Sequence, residues 1–352
     1  MNYPKLILGI MVLMALTFIL INTSFAQTNW VKYEGNPVLE PSGYDEYVGS
    51  PCGIKDGEIF KMWYSGGDED AICYATSTDG INWQKYGGNP VLVGDEGTWE
   101  DGEVSGPSVI KENGIYKMWY GAKGIGYATS TDGIHWTKYE ENPVLKVGPS
   151  GSWDAGEIGY PSVIKEGQIY KMWYEAEGEE GGEFGSIEEQ IGYATSTDGI
   201  HWTKYEENPV LEVGPSGSWD DLAVGSPCVI YHEDIYMMWY GGWSSKFDHP
   251  SSIGFVTSLD GINWKKYEEN PVLSSIGLSY ETTPGDPWVI QDGDTLKIWY
   301  SEKECIYYAY EGLECSTWAD VKNKISCFRN GQCTLRDVID CFREWRATDT
   351  GR

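Results

Sequence analysis

The sequence predicts an all-β chain folded as a five-bladed β-propeller, closed by its N-terminal strand and followed by a small Cys-rich helical extension. Three observations predict it. A Met/Ile-Trp-Tyr tripeptide occurs five times, at Trp63, Trp119, Trp173, Trp239 and Trp299. An Asn-Pro-Val tripeptide also occurs five times, starting at Asn36, Asn89, Asn142, Asn208 and Asn270. A Thr-Ser-x-Asp-Gly-Ile turn occurs only four times, at Asp79, Asp132, Asp198 and Asp260.

The shortest complete unit runs from Gly106 to Leu145 and holds four short runs rich in Val, Ile, Tyr, Trp and Thr, the residues that strands favour. Asp-Gly pairs supply the positive-φ positions of tight turns. A unit of about 50 residues built this way is an antiparallel meander of propeller-blade size. The mismatch in counts closes the ring. The chain opens with a lone fourth strand (29–39) and ends its repeats at a third strand (305–310), so the N-terminal strand is expected to complete the last blade and remove the open edges. Apolar residues on both faces of each run suit blades that stack face to face, so the five tryptophans are read as packing.

In chain order, residues 1–26 are read as a signal peptide. Lys5 precedes an apolar run over 6–21, and Ser24-Phe25-Ala26 suits cleavage, with an uncleaved anchor as the alternative. Residues 27–311 are the propeller. Residues 312–352 read as two short amphipathic helices carrying Cys315, Cys327, Cys333 and Cys341, which suit two disulfides in an oxidising compartment. The chain is therefore expected to be secreted, monomeric and free of the membrane after cleavage. A net charge of −29, from 54 acidic and 25 basic residues, argues against nucleic acid.

The copies can be compared with one another. Inner hairpins and Asp-Gly turns are uniform; the loops after each Trp-Tyr diverge, as does the chain before each blade's first strand. A single asymmetric ligand needs non-identical elements, so the divergent face is the expected mouth. His135 and His201 fall in the uniform turns. Each first strand begins at a proline (Pro51, Pro107, Pro161, Pro227, Pro287), with carboxylates just upstream. Asp286 alone touches its proline; Glu103 and Glu157 lie four residues before theirs, and Asp45 six before. Crowded carboxylates of unequal pKa can supply the acid and the base that glycosidic cleavage needs. Asp286, Glu103, Glu157 and Asp45 are the candidate catalytic residues. Tyr160, Trp243 and Trp288, each unique in its repeat, are candidates for stacking on sugar, with His249 beside them at the mouth. No spaced ligand motif marks a metal site, and no cofactor is expected.

The succession NPVL, then PxVIKxxGxYKMWYxG, then IGYATSxDGIxW resembles the five-bladed propeller glycosidases and glycoside phosphorylases, glycoside hydrolase families 32, 43, 62, 68 and 130. It covers residues 29–311 and implies a carbohydrate partner. The SxDGxxW turn is also similar to the sialidase Asp box, a structural hairpin. In enzymes like family 43 the base and the pKa-modulating aspartate directly precede blade prolines, and the acid lies in Glu-x-Pro. Only Asp286 matches, in the last blade; the Glu-x-Pro places hold Gly49, Ser105, Gly159, Gly225 and Gly285. The Glu-Asp-Pro-Arg phrase of family 130 is absent. The mouth loops offer phosphate only Lys123, Lys246 and Lys303. The expected function is thus a secreted glycosidase acting on or binding poly- or oligosaccharide. The alternative is a non-catalytic carbohydrate-binding or surface interaction propeller.

Overall fold

The repeated Trp-Tyr pair sits at the centre of each sheet. Trp63, Trp119, Trp173, Trp239 and Trp299 and their tyrosines have no exposed surface. Burying one indole contributes about 5 kcal/mol of transfer free energy. The computed structural model describes residues 30–67, 70–179, 189–244, 251–274, 283–293 and 295–312. Residues 32–309 form one unit, and the described residues 30–31 and 310–312 belong to a second. The expected signal peptide, and the helices and disulfides expected of the Cys-rich tail, fall outside the described residues, as does His249.

The fold is all-β, with no helix among the described residues, and five antiparallel sheets make the five blades. Blade 1 comprises Tyr47–Asp56, Ile59–Gly67, Ala71–Ser77 and Gln84–Lys85, and blade 2 Ser105–Glu112, Ile115–Ala122, Gly124–Ser130 and Thr137–Lys138. Blade 3 comprises Glu157–Glu166, Ile169–Glu177, Gln190–Ser196 and Thr203–Lys204, and blade 4 Ala223–His232, Ile235–Trp243, Ser251–Ser258 and Lys265–Lys266. Blade 5 holds Gly285–Asp292, Thr295–Glu302 and Cys305–Glu311. First strands pack side by side in order, and that of blade 5 returns to that of blade 1.

Each repeated residue has a repeated task. The indole N–H of Trp63 donates to the Gly133 carbonyl in the Asp-Gly turn of the next blade, at 2.7 Å. Trp119 does so to Gly199, Trp173 to Gly261, and Trp299 to Gly80 across the blade 5–blade 1 boundary. Within the turn, the Asp132 carboxylate accepts the N–H groups of Ile134 and His135, and contacts the His135 ring at Nδ1. His201 repeats this with Asp198, so both histidines are turn residues. The Asn89 side chain accepts from Tyr74 N–H and donates to Tyr74 C=O, stitching the fourth segment to the third strand. Asn142, Asn208 and Asn270 repeat the pair of bonds on Tyr127, Tyr193 and Phe255. Asn36 makes the same two bonds to Tyr308. Tyr33 N–H donates to Tyr308, and Val38 and Leu39 N–H to Ile306.

A buried carboxylate clamps the stretch that leads into each of blades 1 to 4. Lys85 pairs with Asp45 at 2.7 Å, Lys204 with Asp154 at 2.5 Å and Lys266 with Asp220 at 2.6 Å; Lys138 pairs with Glu100. Three of the five tyrosines of the Trp-Tyr pairs, Tyr64, Tyr120 and Tyr240, donate to Asp45, Glu100 and Asp220. Lys32 meets Glu302 in blade 5 at 3.5 Å.

Candidate functional site

Five X-Pro dipeptides surround the axis, and their X residues are Ser50, Gly106, Tyr160, Ser226 and Asp286. Every one has positive φ: +46°, +52°, +44°, +46° and +45° in that order. Four carry a side chain in a region that costs about 1–3 kcal/mol each. The pairing register slips at each dipeptide, for example between Gly49 and Cys52 and between Gly285 and Trp288. Such a bulge releases two residues from the ladder and re-aims a side chain. The five dipeptides together line one small axial cavity of about 40 Å³.

The residue that follows each Trp-Tyr completes the ring. Ser301 Oγ accepts the Ser50 N–H at 2.9 Å, Ser65 Oγ that of Gly106 at 3.1 Å, and Glu175 Oε2 that of Ser226 at 2.7 Å. Gly121 and Gly241 hold the two remaining places. One step further on, the side chain after four of the five prolines serves the next blade: Cys52 and Cys228 sulfurs accept from Val109 and Val289, and Ser108 and Ser162 hydroxyls from Val163 and Val229. Cys52, Cys73, Cys228 and Cys305 are free thiols. Desolvation pushes Cys52 and Cys228 up to about 12, so both are neutral hydrogen-bonding groups.

Asp286 faces the cavity, and serines fix it. Its Oδ1 accepts from Ser226 Oγ at 2.7 Å; its Oδ2 accepts from Ser301 Oγ at 2.9 Å and from Ser50 Oγ at 3.3 Å. Among the described residues it is the one carboxylate lining this cavity. Tyr160 lines it too, its ring lying over Gly106, where an added Cβ would come 2.9 Å from Cδ1. Trp243 ends the second strand of blade 4, with its ring over Gly241.

A second group of carboxylates borders blade 3. Glu157 pairs in register with Glu177. Desolvation, then Glu177 and Glu103, raise the Glu157 carboxyl, while Lys123 opposes them. Lys123 is itself paired with Asp101 at the surface. Desolvation, then Glu177, Asp286 and Glu157, push Glu189 up to about 7. Glu175 lies well above the usual carboxylate range because of desolvation and then Glu189, with Asp286 adding to the rise against the Ser226 N–H. Glu175 and Glu189 were legible only as loop charge. The signal for Glu175 was its place: the residue after Trp-Tyr is Ser, Gly, Glu, Gly and Ser in successive blades.

Two sequence expectations need correction. Asp45 is 4% exposed and holds the clamp position, bonded to Tyr64, Cys73 and Lys85, so it faces a blade connection and not the axial cavity. Trp288 is 4% exposed and stacks on Trp299, with ring centroids 4.3 Å apart, so no face is open to a sugar. Glu103 and Glu157 are not among the residues that line the cavity.

The glycosyl hydrolases family 32 N-terminal domain matches residues 126–275. An uncharacterized protein of Mycobacterium tuberculosis is 29% identical over 231 residues, covering 58% of this chain and 72% of that one. A β-1,2-mannobiose phosphorylase of Thermoanaerobacter is 25% identical over 131 residues, 34% of this chain and 40% of the enzyme. A solved structure described as showing that the GH130 family of mannoside phosphorylases contains glycoside hydrolases targeting β-1,2 mannosidic linkages in Candida mannan superposes with a TM-score of 0.64. It is 17% identical, over 82% of this chain and 94% of that one.

Proposed function

We propose that this glycoside hydrolase-like five-bladed propeller is a secreted, monomeric enzyme that hydrolyses a glycosidic bond of a poly- or oligosaccharide at its axial cavity. One observation carries the reading: Asp286, alone among the described carboxylates, lines that cavity, and three serine hydroxyls hold it. Such a carboxylate stays oriented without help from the substrate, as acid–base catalysis requires. Glu157 and Glu103 are the candidate partners across the bond, and Tyr160 and Trp243 the faces on which sugar rings stack. His249, six residues after Trp243 in the sequence, would join them. The leader over 6–21 supports export. The bonds from 33–39 to Ile306 and Tyr308 support closure of the ring by the N-terminal strand.

Water is the proposed acceptor. Phosphate needs cations, and Lys123 is already paired with Asp101. The test is to incubate the protein with aryl glycosides and β-1,2-mannobiose, with and without phosphate, beside Asp286→Asn. Products formed without phosphate and lost in the variant support the proposal. Turnover that needs phosphate, or full activity in Asp286→Asn, sinks it.

The other four cavity positions, Ser50, Gly106, Tyr160 and Ser226, carry no carboxylate, and this favours a second reading as a carbohydrate-binding propeller without catalysis. Calorimetric binding of an oligosaccharide with no product after long incubation would select it.

A further inference from the structure

We propose that Ser226 joins Glu175 and Asp286 into a hydroxyl-bridged pair that holds a single proton, with Glu175 behind the cavity wall recharging Asp286 at its surface. The proposal rests on the catalytic reading of Asp286. Ser226 is 6% exposed and stands between two carboxyl groups. Its Oγ lies 2.7 Å from Asp286 Oδ1 on one side and 3.4 Å from Glu175 Oε2 on the other. A serine hydroxyl has one proton. It can donate to only one of the two, so both contacts are hydrogen bonds only when one carboxyl group carries a proton of its own.

The neighbours decide where that proton sits. Asp286 also accepts from Ser301 and Ser50. The Ser301 proton is committed to Asp286, because Ser301 Oγ already accepts the Ser50 N–H. Three hydroxyl groups thus surround Asp286. Glu175 has one backbone donor, from Ser226, and faces Glu189 and Asp286. Glu189 in turn faces Glu177, Asp286 and Glu157. The resting proton belongs to Glu175. An added Cβ on Gly225 would meet Glu175 Oε2 at 2.1 Å, so this carboxyl packs against the strand and reaches the cavity through Ser226.

The transfer balances. Ser226 passes its hydroxyl proton to Asp286 Oδ1 and takes the Glu175 proton onto Oγ, so that Asp286 holds the one shared proton and gives it to a leaving oxygen. Glu175 is left as a carboxylate until water reprotonates it. Glu175 and Ser226 are positioning residues, acting through Asp286.

Infrared difference spectroscopy on the full chain counts protonated carboxyl groups without any assay of turnover. Near neutral pH, the wild type minus Glu175→Gln should show the loss of one protonated carboxyl band. Ser226→Ala should shift that band, and Ser226→Thr should restore it. In a glycosidase assay, the alkaline limb of the pH–rate profile should move in Ser226→Ala and return in Ser226→Thr. No band lost in Glu175→Gln, or a band indifferent to Ser226→Ala, overturns the proposal. A wild type that shows the band but cleaves no glycoside refutes the catalytic reading and leaves the shared proton standing.

Discussion

Trp288 occupies the space that Gly53 leaves open. A Cβ added to Gly53 would come 2.9 Å from the Trp288 ring and 2.0 Å from the Lys61 carbonyl oxygen. In the other blades the residue after the proline is Cys or Ser, and the one facing it from the next blade is Val; at the seam between blades 5 and 1 the pair is large and small instead. Gly53→Ala should lower stability by about 1–3 kcal/mol through overpacking, and Trp288→Ala by about 3–5 kcal/mol through the void it leaves. The double variant should cost less than the sum, because removing the ring relieves one of the two clashes. Urea unfolding of all four proteins measures the coupling; strict additivity would show that the two residues do not share this space.

Asp45 and Asp286 should separate cleanly. Both are carboxylates near a blade entry, but Asp45 answers Lys85 and Asp286 answers three serines. Asp45→Asn removes one partner of a buried ion pair and should cost about 3–5 kcal/mol of stability with little change in kcat. Asp286→Asn should leave the unfolding midpoint nearly unchanged and reduce kcat by about 10²- to 10⁴-fold. Paired denaturation and rate measurements decide it, and a kcat loss in Asp45→Asn equal to that in Asp286→Asn would contradict the assignment.

The carboxylates bordering blade 3 should destabilise the fold as pH rises. Glu189 moves from an ordinary 4.5 to about 7. A carboxyl raised in the folded state contributes fully below about pH 4.5, and the contribution is lost as pH climbs through about 7. At about 1.4 kcal/mol per pH unit the swing is about 3 kcal/mol. Glu189→Gln cannot ionise, so its stability advantage over the wild type should grow from about pH 5 to about pH 8. Urea midpoints that run parallel over that interval would refute the claim.

The repeats made most of the fold legible, because five copies report on each other. The recurring Trp, Asn and Asp-Gly positions announced shared tasks, and the structure gives Trp63, Trp119, Trp173 and Trp299 the same turn-glycine partner in the next blade. Asp286 was legible for the opposite reason, as the one carboxylate placed directly before a blade proline. The same rule misread Trp288, whose partner Gly53 lies in the first blade and looks unremarkable alone. Asp45 resisted reading because its clamp depends on Lys85, brought near only by the meander. Glu175 stood in an acidic loop whose charge hid the register that sets it behind Ser226.

Gly133 and Gly114 offer an internal control on the staple between blades. Both have φ near +84°, at +84° and +83°. An added Cβ on Gly114 would meet nothing within 4 Å, while one on Gly133 would come 2.9 Å from Cζ2 of Trp63, whose indole N–H donates to the Gly133 carbonyl. Gly114→Ala should therefore cost about 1 kcal/mol, the backbone penalty alone. Gly133→Ala carries the same penalty, displaces a fully buried indole and weakens a buried hydrogen bond, so it should cost about 3–5 kcal/mol in all. Trp63 emission should shift to the red in the second variant and not in the first. Equal losses of stability in the two would mean that the turn glycines serve their own backbone and not the contact between blades.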